Sequence, residues 1–174
     1  MAEASAPPQS LPQLARPQDT LLRCDSDVVG VLEQDGHHRL VAIKDIPKGT
    51  TLFRLIGRDR KTPTKYSVQV SATIHLDPDC TRDKAELVRR YYFRFLDHAC
   101  EPTVQIRDRE VIAVRDIAEG EGVTFHYCTT EYEMASPFDC RCGSPRCMGV
   151  IRGAKHLTAA QRRPLVKWMP DYLR

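Results

Sequence analysis

Between residues 140 and 147 the chain reads CRCGSPRC, three cysteines in eight positions on a stretch carrying Gly143 and Pro145. Close-spaced thiolates on such a turn supply three corners of a tetrahedral zinc site. The fourth corner is open to Cys24, Cys80, Cys100 or Cys128, and spacing does not choose among them. Upstream, FLDHACEPTV (residues 95–104) sets His98 two residues before Cys100. A cysteine nucleophile needs a base at hydrogen-bond distance, with His98 and His126 as the candidates. This reading is set aside on the expectation that His98 and Cys100 point to opposite faces of an extended segment.

The elements that must position these residues are mostly strands. DVVGVLE and RLVAIKDI flank QDGHH, whose Asp-Gly predicts a hairpin turn. TLFRLIG, KYSVQVSATIHLD, TVQIRD, EVIAVRDI and GVTFHY read as further short strands separated by turn residues. One helix stands out: Asp83 caps it, Glu86 follows three residues later, and Leu87, Val88, Tyr91, Tyr92 and Phe95 are expected on one face. LTAAQRRPLVKWM predicts a short helix broken at Pro164. There is no GxGxxG fingerprint and no βαβ repeat, which argues against a dinucleotide-binding fold. The fold class expected is mainly β with few short helices.

Bulk properties narrow the classes. The 174 residues fit one domain plus a tail. Residues 1–20 are rich in Ala, Pro, Ser and Gln, and are expected to be disordered. They lack the basic start and apolar run of a signal peptide, and no stretch is long and apolar enough to cross a bilayer. An intracellular protein, cytoplasmic or nuclear, follows as the expectation. Seven cysteines are an odd count, and the crowding of three of them between 140 and 147 then favours metal or catalytic chemistry over disulfides. The net charge of +3 is too small to argue for nucleic acid. From Arg152 onward six basic residues face one acidic one, so the C-terminus is open to an acidic partner, though a solvated face accounts for the same pattern.

Four segments, in order, resemble the SET-domain protein lysine methyltransferases with their post-SET zinc motif. RLVAIKDIPKGTTLFRL is similar to the first SET segment, RFLDHACEPT to R-F-x-N-H-S-C-x-P-N, VIAVRDIAEGEGVTFHY to A-x-R-D-I-x-x-G-E-E-L-T-F-D-Y, and PFDCRCGSPRCMG to C-x-C-x4-C-x-G. The resemblance implies a SET-type fold of small curved sheets with a pseudoknot. Residues 21–135 would form the SET domain, 136–151 the zinc-bound post-SET segment and 152–174 a basic helical extension. It also implies methyl transfer from S-adenosyl-L-methionine to a lysine ε-amine of a protein, histone or non-histone, by a monomer. A structural zinc would be held by Cys100, Cys140, Cys142 and Cys147. Tyr127 matches the catalytic tyrosine, with Phe125 and Tyr66 as further channel residues; Phe at position 125 leaves room for di- or trimethylation. Arg94, Asp97 and His98 match cofactor-binding positions, with Arg39 and Leu40 beside the cofactor in the first segment.

Three departures stand out. His37, His38 and Arg39 replace the family's G-x-G, Asp97 stands where asparagine is usual, and His126 where aspartate is usual. They keep a second expectation in play, a catalytically weak or inactive, zinc-stabilised peptide-binding module on the same fold.

Overall fold

The structure, a computed structural model, describes residues 19–174. The disorder expected of residues 1–20 therefore falls almost wholly outside the described residues, and Thr20 already begins a strand. Strands β1 (Thr20–Leu22), β2 (Val29–Gln34) and β3 (His37–Ala42) form an antiparallel sheet in that order. The Asp-Gly turn is as expected: Asp35 and Gly36 both take positive φ, 50° and 77°, the twist a two-residue hairpin needs. Next come β4 (Thr51–Arg54), then β5 (Arg58–Arg60), β6 (Val68–Gln69) and β7 (His75–Asp77), the last three forming a sheet ordered β5-β7-β6.

Helix α1 (Lys84–Arg90) is capped by the Asp83 carboxylate, which accepts from the Ala85 N–H at 2.9 Å. It is shorter than its apolar pattern suggests. The chain tightens into a 3₁₀ turn at Tyr92–Phe95, so Tyr92 and Phe93 turn into the core while no residue of α1 is fully buried. Beyond it lie β8 (Asp97–His98), the hairpin β9 (Val104–Arg107) and β10 (Glu110–Ala113), and β11 (Thr124–Phe125). Strand β10 also pairs with β4, and β11 runs parallel to β8 with Thr124 opposite Asp97 and Phe125 opposite His98. This parallel pairing places the histidine-cysteine segment beside the strand that leads into Tyr127.

Two similar turns lock the sheets together. Ile46 and Ile117 exchange backbone hydrogen bonds of 2.8 and 2.9 Å. The Asp45 carboxylate accepts from the Glu119 N–H, and the Asp116 carboxylate accepts from the Lys48 N–H. DIPKGT and DIAEGE thus cap each other reciprocally.

The main core contains Val31, Leu40, Leu55, Leu76, Val111, Ile117 and Val123. A second cluster joins Cys100, Cys128 and Ile151 to Leu165, Met169 and Leu173 of the C-terminal segment. That segment follows the short pair β12 (Phe138–Asp139) and β13 (Val150–Ile151). It holds α2 (Ala159–Arg162), which stops before Pro164 as expected, and three 3₁₀ turns. Arg152, Lys155, Arg163, Lys167 and Arg174 are exposed, whereas Arg162 is half-buried and donates to the Ala154 and Leu173 carbonyls. Burying Leu165, Met169 and Leu173 stabilises the docking of this segment by about 1.5–3 kcal/mol each. The Tyr172 hydroxyl donates to the Gln69 carbonyl at 2.8 Å and lies 3.2 Å from the Thr130 carbonyl. Among the described residues no helix is long and apolar enough to cross a membrane.

Candidate active site and metal centre

The loop between β12 and β13 carries Cys140, Cys142 and Cys147, and Cys100 follows β8 from the other side. All four sulfurs lie within 4.8 Å of one another, and Cys100 Sγ is 3.9 Å from Cys140 Sγ. A tetrahedral zinc with Zn–S near ~2.3 Å requires S···S edges near ~3.8 Å, so the donor set and its spacing fit that ion. Burial raises the Cys100 thiol well above its usual range and the Cys140 thiol to about 11. Burial also pushes Cys142 up, but hydrogen bonds from the Cys100 and Ser144 backbones and from Cys140 outweigh it and bring Cys142 to about 7. Four thiolates this close repel one another, and a divalent cation is what lets them ionise together. Of the other cysteines, Cys24, Cys80 and Cys128 lie outside the cluster.

His98 and Cys100 do not face apart. His98 Nε2 lies 3.4 Å from Cys100 Sγ, because residues i and i+2 of an extended segment share a face. The His98 Nδ1 accepts the Tyr127 N–H at 3.3 Å. That bond fixes the tautomer: Nδ1 is the acceptor, so Nε2 carries the hydrogen and points it at the sulfur. Burial, and then His126, lower the His98 pKa to about 3, which keeps the ring neutral. His98 therefore links the sulfur cluster to the backbone of Tyr127, and with Nε2 so committed it is not a base for Cys100. His126 packs edge-on at 4.8 Å, fully buried, its pKa lowered to about 4 by desolvation.

Two connected cavities meet at Tyr127. The larger, about 900 Å³, is an open cleft bordered by His37, His38, Arg94, Asp97, His98 and Phe138. This volume lies within the ~300–1,000 Å³ of small-molecule sites. The smaller, about 50 Å³, is walled by Tyr66, Phe93, Phe125, Tyr127, Met134 and Glu131. Tyr66, Arg94, Leu96 and Tyr127 border both. The Tyr127 ring packs 4.7 Å from Phe125 and 5.9 Å from Phe138. Its hydroxyl donates to the Leu96 carbonyl at 2.8 Å. Burial, with Asp97 and Glu131 adding to it, holds this phenol far above its usual range, so it stays protonated. The Arg94 guanidinium stacks over the Tyr66 ring at 3.5 Å and pairs with Asp79, which stiffens the shared wall.

The structure thus brings Tyr127, Phe125, Tyr66, Arg94, Asp97 and His98 around one pair of cavities. Leu40 and Arg39 are placed otherwise. Leu40 is 1% exposed in the main core, and its carbonyl accepts from the Val123 N–H, so its side chain does not reach the cleft. Arg39 sits half-buried behind Asp97, where its charge acts on that carboxyl. Glu131 is the site residue that the sequence reading missed. Its only signal is a position four after Tyr127: the Glu131 N–H bonds the Tyr127 carbonyl at 2.9 Å, a helical turn that returns the side chain to the same face.

Asp97 opens onto the cleft but is packed by protein on its other side. That desolvation raises its carboxyl pKa, and Arg39 offsets part of the rise. The native carboxylate is therefore penalised relative to the unfolded chain above its raised pKa, and not below the unfolded value near ~3.9. Asp97→Asn is expected to raise the Tm of the ligand-free protein by about 1–2 °C at neutral pH. The gain should vanish at about pH 3.5, below the unfolded carboxyl pKa. Thermal melts of both proteins across this range check it; a gain that is largest in acid would contradict the assignment.

Short antiparallel sheets around a parallel strand pair, a cysteine cluster behind a tyrosine and a cleft opening into an aromatic cavity define the architecture of a SET domain. The chain belongs to that family: the SET domain sequence model matches residues 37–128. It is 36% identical over 70 residues to the protein designated Methyltransferase flvH of Aspergillus flavus, covering 38% of this chain and 39% of that one. It is 34% identical over 83 residues to Histone-lysine N-methyltransferase ash1 of Drosophila melanogaster, covering 41% of this chain and 4% of that one. The chain thus spans well under half the length of these curated relatives. Its fold is similar to that of KRYPTONITE in complex with mCHG DNA and SAH, with TM-score 0.52 and 19% identity over 68% of this chain and 27% of that one. A second KRYPTONITE structure, in complex with mCHH DNA, H3(1-15) peptide and SAH, aligns with TM-score 0.52 and 18% identity over 68% of this chain and 28% of that one.

Proposed function

We propose that this chain is a protein-lysine N-methyltransferase using S-adenosyl-L-methionine. The observation that carries the reading is the position of Tyr127, on the wall between a cofactor-sized cleft and a small aromatic cavity. Family membership and relatives designated as methyltransferases support it. S-adenosylmethionine, when bound, supplies a methyl group made electrophilic by its sulfonium; Arg94, Asp97 and His98 would hold it, with His37 and His38 at the cleft rim. Asp97 adds a negative charge on the side where a sulfonium cation is to be bound.

The substrate amine would enter the small cavity between Phe125 and Tyr66. Aromatic walls desolvate it and favour its neutral form. The Tyr127 hydroxyl has its proton committed to Leu96, so its oxygen is left to accept a hydrogen bond from the amine and orient the nitrogen. Cys100, Cys140, Cys142 and Cys147 would hold a structural zinc that pins residues 136–151 against the cleft. Residues 21–135 then form the SET domain and 152–174 an extension that seals its back. The substrate class is a protein or peptide lysine, and the compartment cytoplasm or nucleus, as for a histone or another soluble protein.

The test is incubation of the full chain with isotope-labelled S-adenosylmethionine and a cell lysate, followed by mass spectrometry of the modified proteins. Lysine-linked label is expected, and its absence with intact protein would reject the reading. His37 and His38 in the cleft lining favour a second reading, a SET-fold module that binds peptide without transfer. Peptide capture from the lysate with no cofactor binding at millimolar concentration would select it.

A further inference from the structure

The small cavity holds an acid that the proposed mechanism leaves idle. Glu131 is the one carboxylate among its lining residues, and its side chain is 8% exposed. One carboxylate oxygen accepts from the Gln69 N–H at 2.6 Å and from the Thr130 hydroxyl at 3.3 Å. The other lies 3.6 Å from His75 Nδ1, and among the described residues no lysine or arginine forms an ion pair with it. A buried carboxylate is costly unless a cation compensates it, and two neutral donors compensate it in part. Among the described residues His75 Nδ1 has no hydrogen-bond partner. The aromatic walls admit the aliphatic stem of an amine; the carboxylate marks where its charge would be met.

The remaining charged and titratable groups leave Glu131 this role. Tyr127 and Tyr172 face it from two sides, both phenols pushed up by burial and further by the Glu131 charge. Cys128 behind it is likewise raised, to about 11, first by burial. Across the cavity, the Arg94 guanidinium is held by Asp79 and Tyr66, and Lys65 is exposed with its ammonium over the outer ring of Tyr66.

We propose that Glu131 is the proton acceptor for the substrate ammonium, with His75 as the group to which the proton passes. An ammonium N–H bond breaks, its electron pair stays on nitrogen as the attacking lone pair, and the proton bonds a Glu131 carboxylate oxygen. Once the two side chains close the 3.6 Å between them, the proton passes to the lone pair of His75 Nδ1, the ring's own hydrogen being on Nε2. This restores the carboxylate and leaves His75 an imidazolium. Tyr127 cannot do this work, because its phenol is already protonated and donates to Leu96. This inference rests on the methyltransferase reading above.

The test compares the initial rate of label transfer into lysate protein for wild type and Glu131→Gln across pH. Glutamine keeps an oxygen to accept from Gln69 but cannot take a proton. The variant is expected to lose on the order of 100-fold near neutral pH. It should recover to within about 5-fold of wild type by about pH 9.5, where about a tenth of lysine amines in solution are already neutral, against well under a hundredth at pH 7. A loss that is the same at every pH reports a structural clamp and overturns the proposal, as does an unchanged profile; both leave the methyltransferase reading standing. No transfer by wild type at any pH removes that reading and this one together. Should Glu131→Gln fail to fold, His75→Asn carries the comparison, with about a 10-fold neutral-pH loss and the same recovery expected; a flat profile refutes it.

Discussion

Tyr127→Phe is expected to lower the rate of methyl transfer by about 10²–10³-fold while cofactor affinity changes by no more than a few-fold. The substitution keeps the ring that packs 4.7 Å from Phe125 and 5.9 Å from Phe138, so both cavities keep their shared wall. What goes is one oxygen. In wild type its hydrogen is held by the Leu96 carbonyl, which turns the oxygen's lone pairs toward the cavity as a fixed acceptor. Without it an amine can still enter, but nothing orients its lone pair along the line of attack. The loss should not depend on pH between about 7 and 9, because a phenol raised above its ordinary pKa does not ionise there. This separates Tyr127 from Glu131, whose removal is proposed to be rescued by alkali. The Leu96 carbonyl loses its donor, which costs about 1–3 kcal/mol, so Tm should fall by a few degrees. Single-turnover rates with a cofactor titration check the prediction. A variant with wild-type rate would place the chemistry elsewhere.

How much of this was legible beforehand depends on how local each determinant is. The β2–β3 hairpin was readable because Asp35-Gly36 dictates a turn by its own backbone freedom. The cysteine loop was readable because its chemistry is written in consecutive residues. Strand β5 was not: Arg58-Asp59-Arg60 has three exposed side chains and exists because β7 offers it an edge. Helix α1 showed a long apolar pattern, yet Tyr92 and Phe93 are buried through a 3₁₀ turn, which shifts side chains from one face to another. Leu40, expected near a ligand, was claimed by the core instead. Glu131 escaped notice because its partners, Gln69 and His75, arrive from strands more than fifty residues away. Contacts of that kind are properties of the sheet order and leave no local pattern in the chain.

Cys100→Ser should abolish tight binding of one zinc equivalent, lower Tm by about 10 °C and remove transferase activity with it. Cys100 is the one member of the cluster outside the C-terminal loop, so a zinc held by all four cysteines would tie β8 to residues 136–151. Two further links depend on that sulfur. The Met148 N–H bonds it at 3.3 Å, and His98 Nε2 approaches it at 3.4 Å while its other nitrogen holds the Tyr127 N–H. Serine carries its oxygen on a shorter bond than the sulfur and no metal holds it in place, so His98 Nε2 loses its fixed acceptor, and a freed ring no longer fixes the backbone at Tyr127. Activity should therefore fall further than loss of the loop alone predicts, and a chelator should reproduce the effect in wild type. Cys128→Ala serves as the control. Its thiol is buried in the second core but stands outside the cluster, so the variant should keep its zinc and lose only the stability of a small packing defect. Zinc analysis by mass spectrometry beside thermal melts distinguishes the two. If Cys100→Ser retained one tightly bound zinc, the bridge from metal through His98 to Tyr127 could not exist as described, and the metal would belong to the C-terminal loop alone.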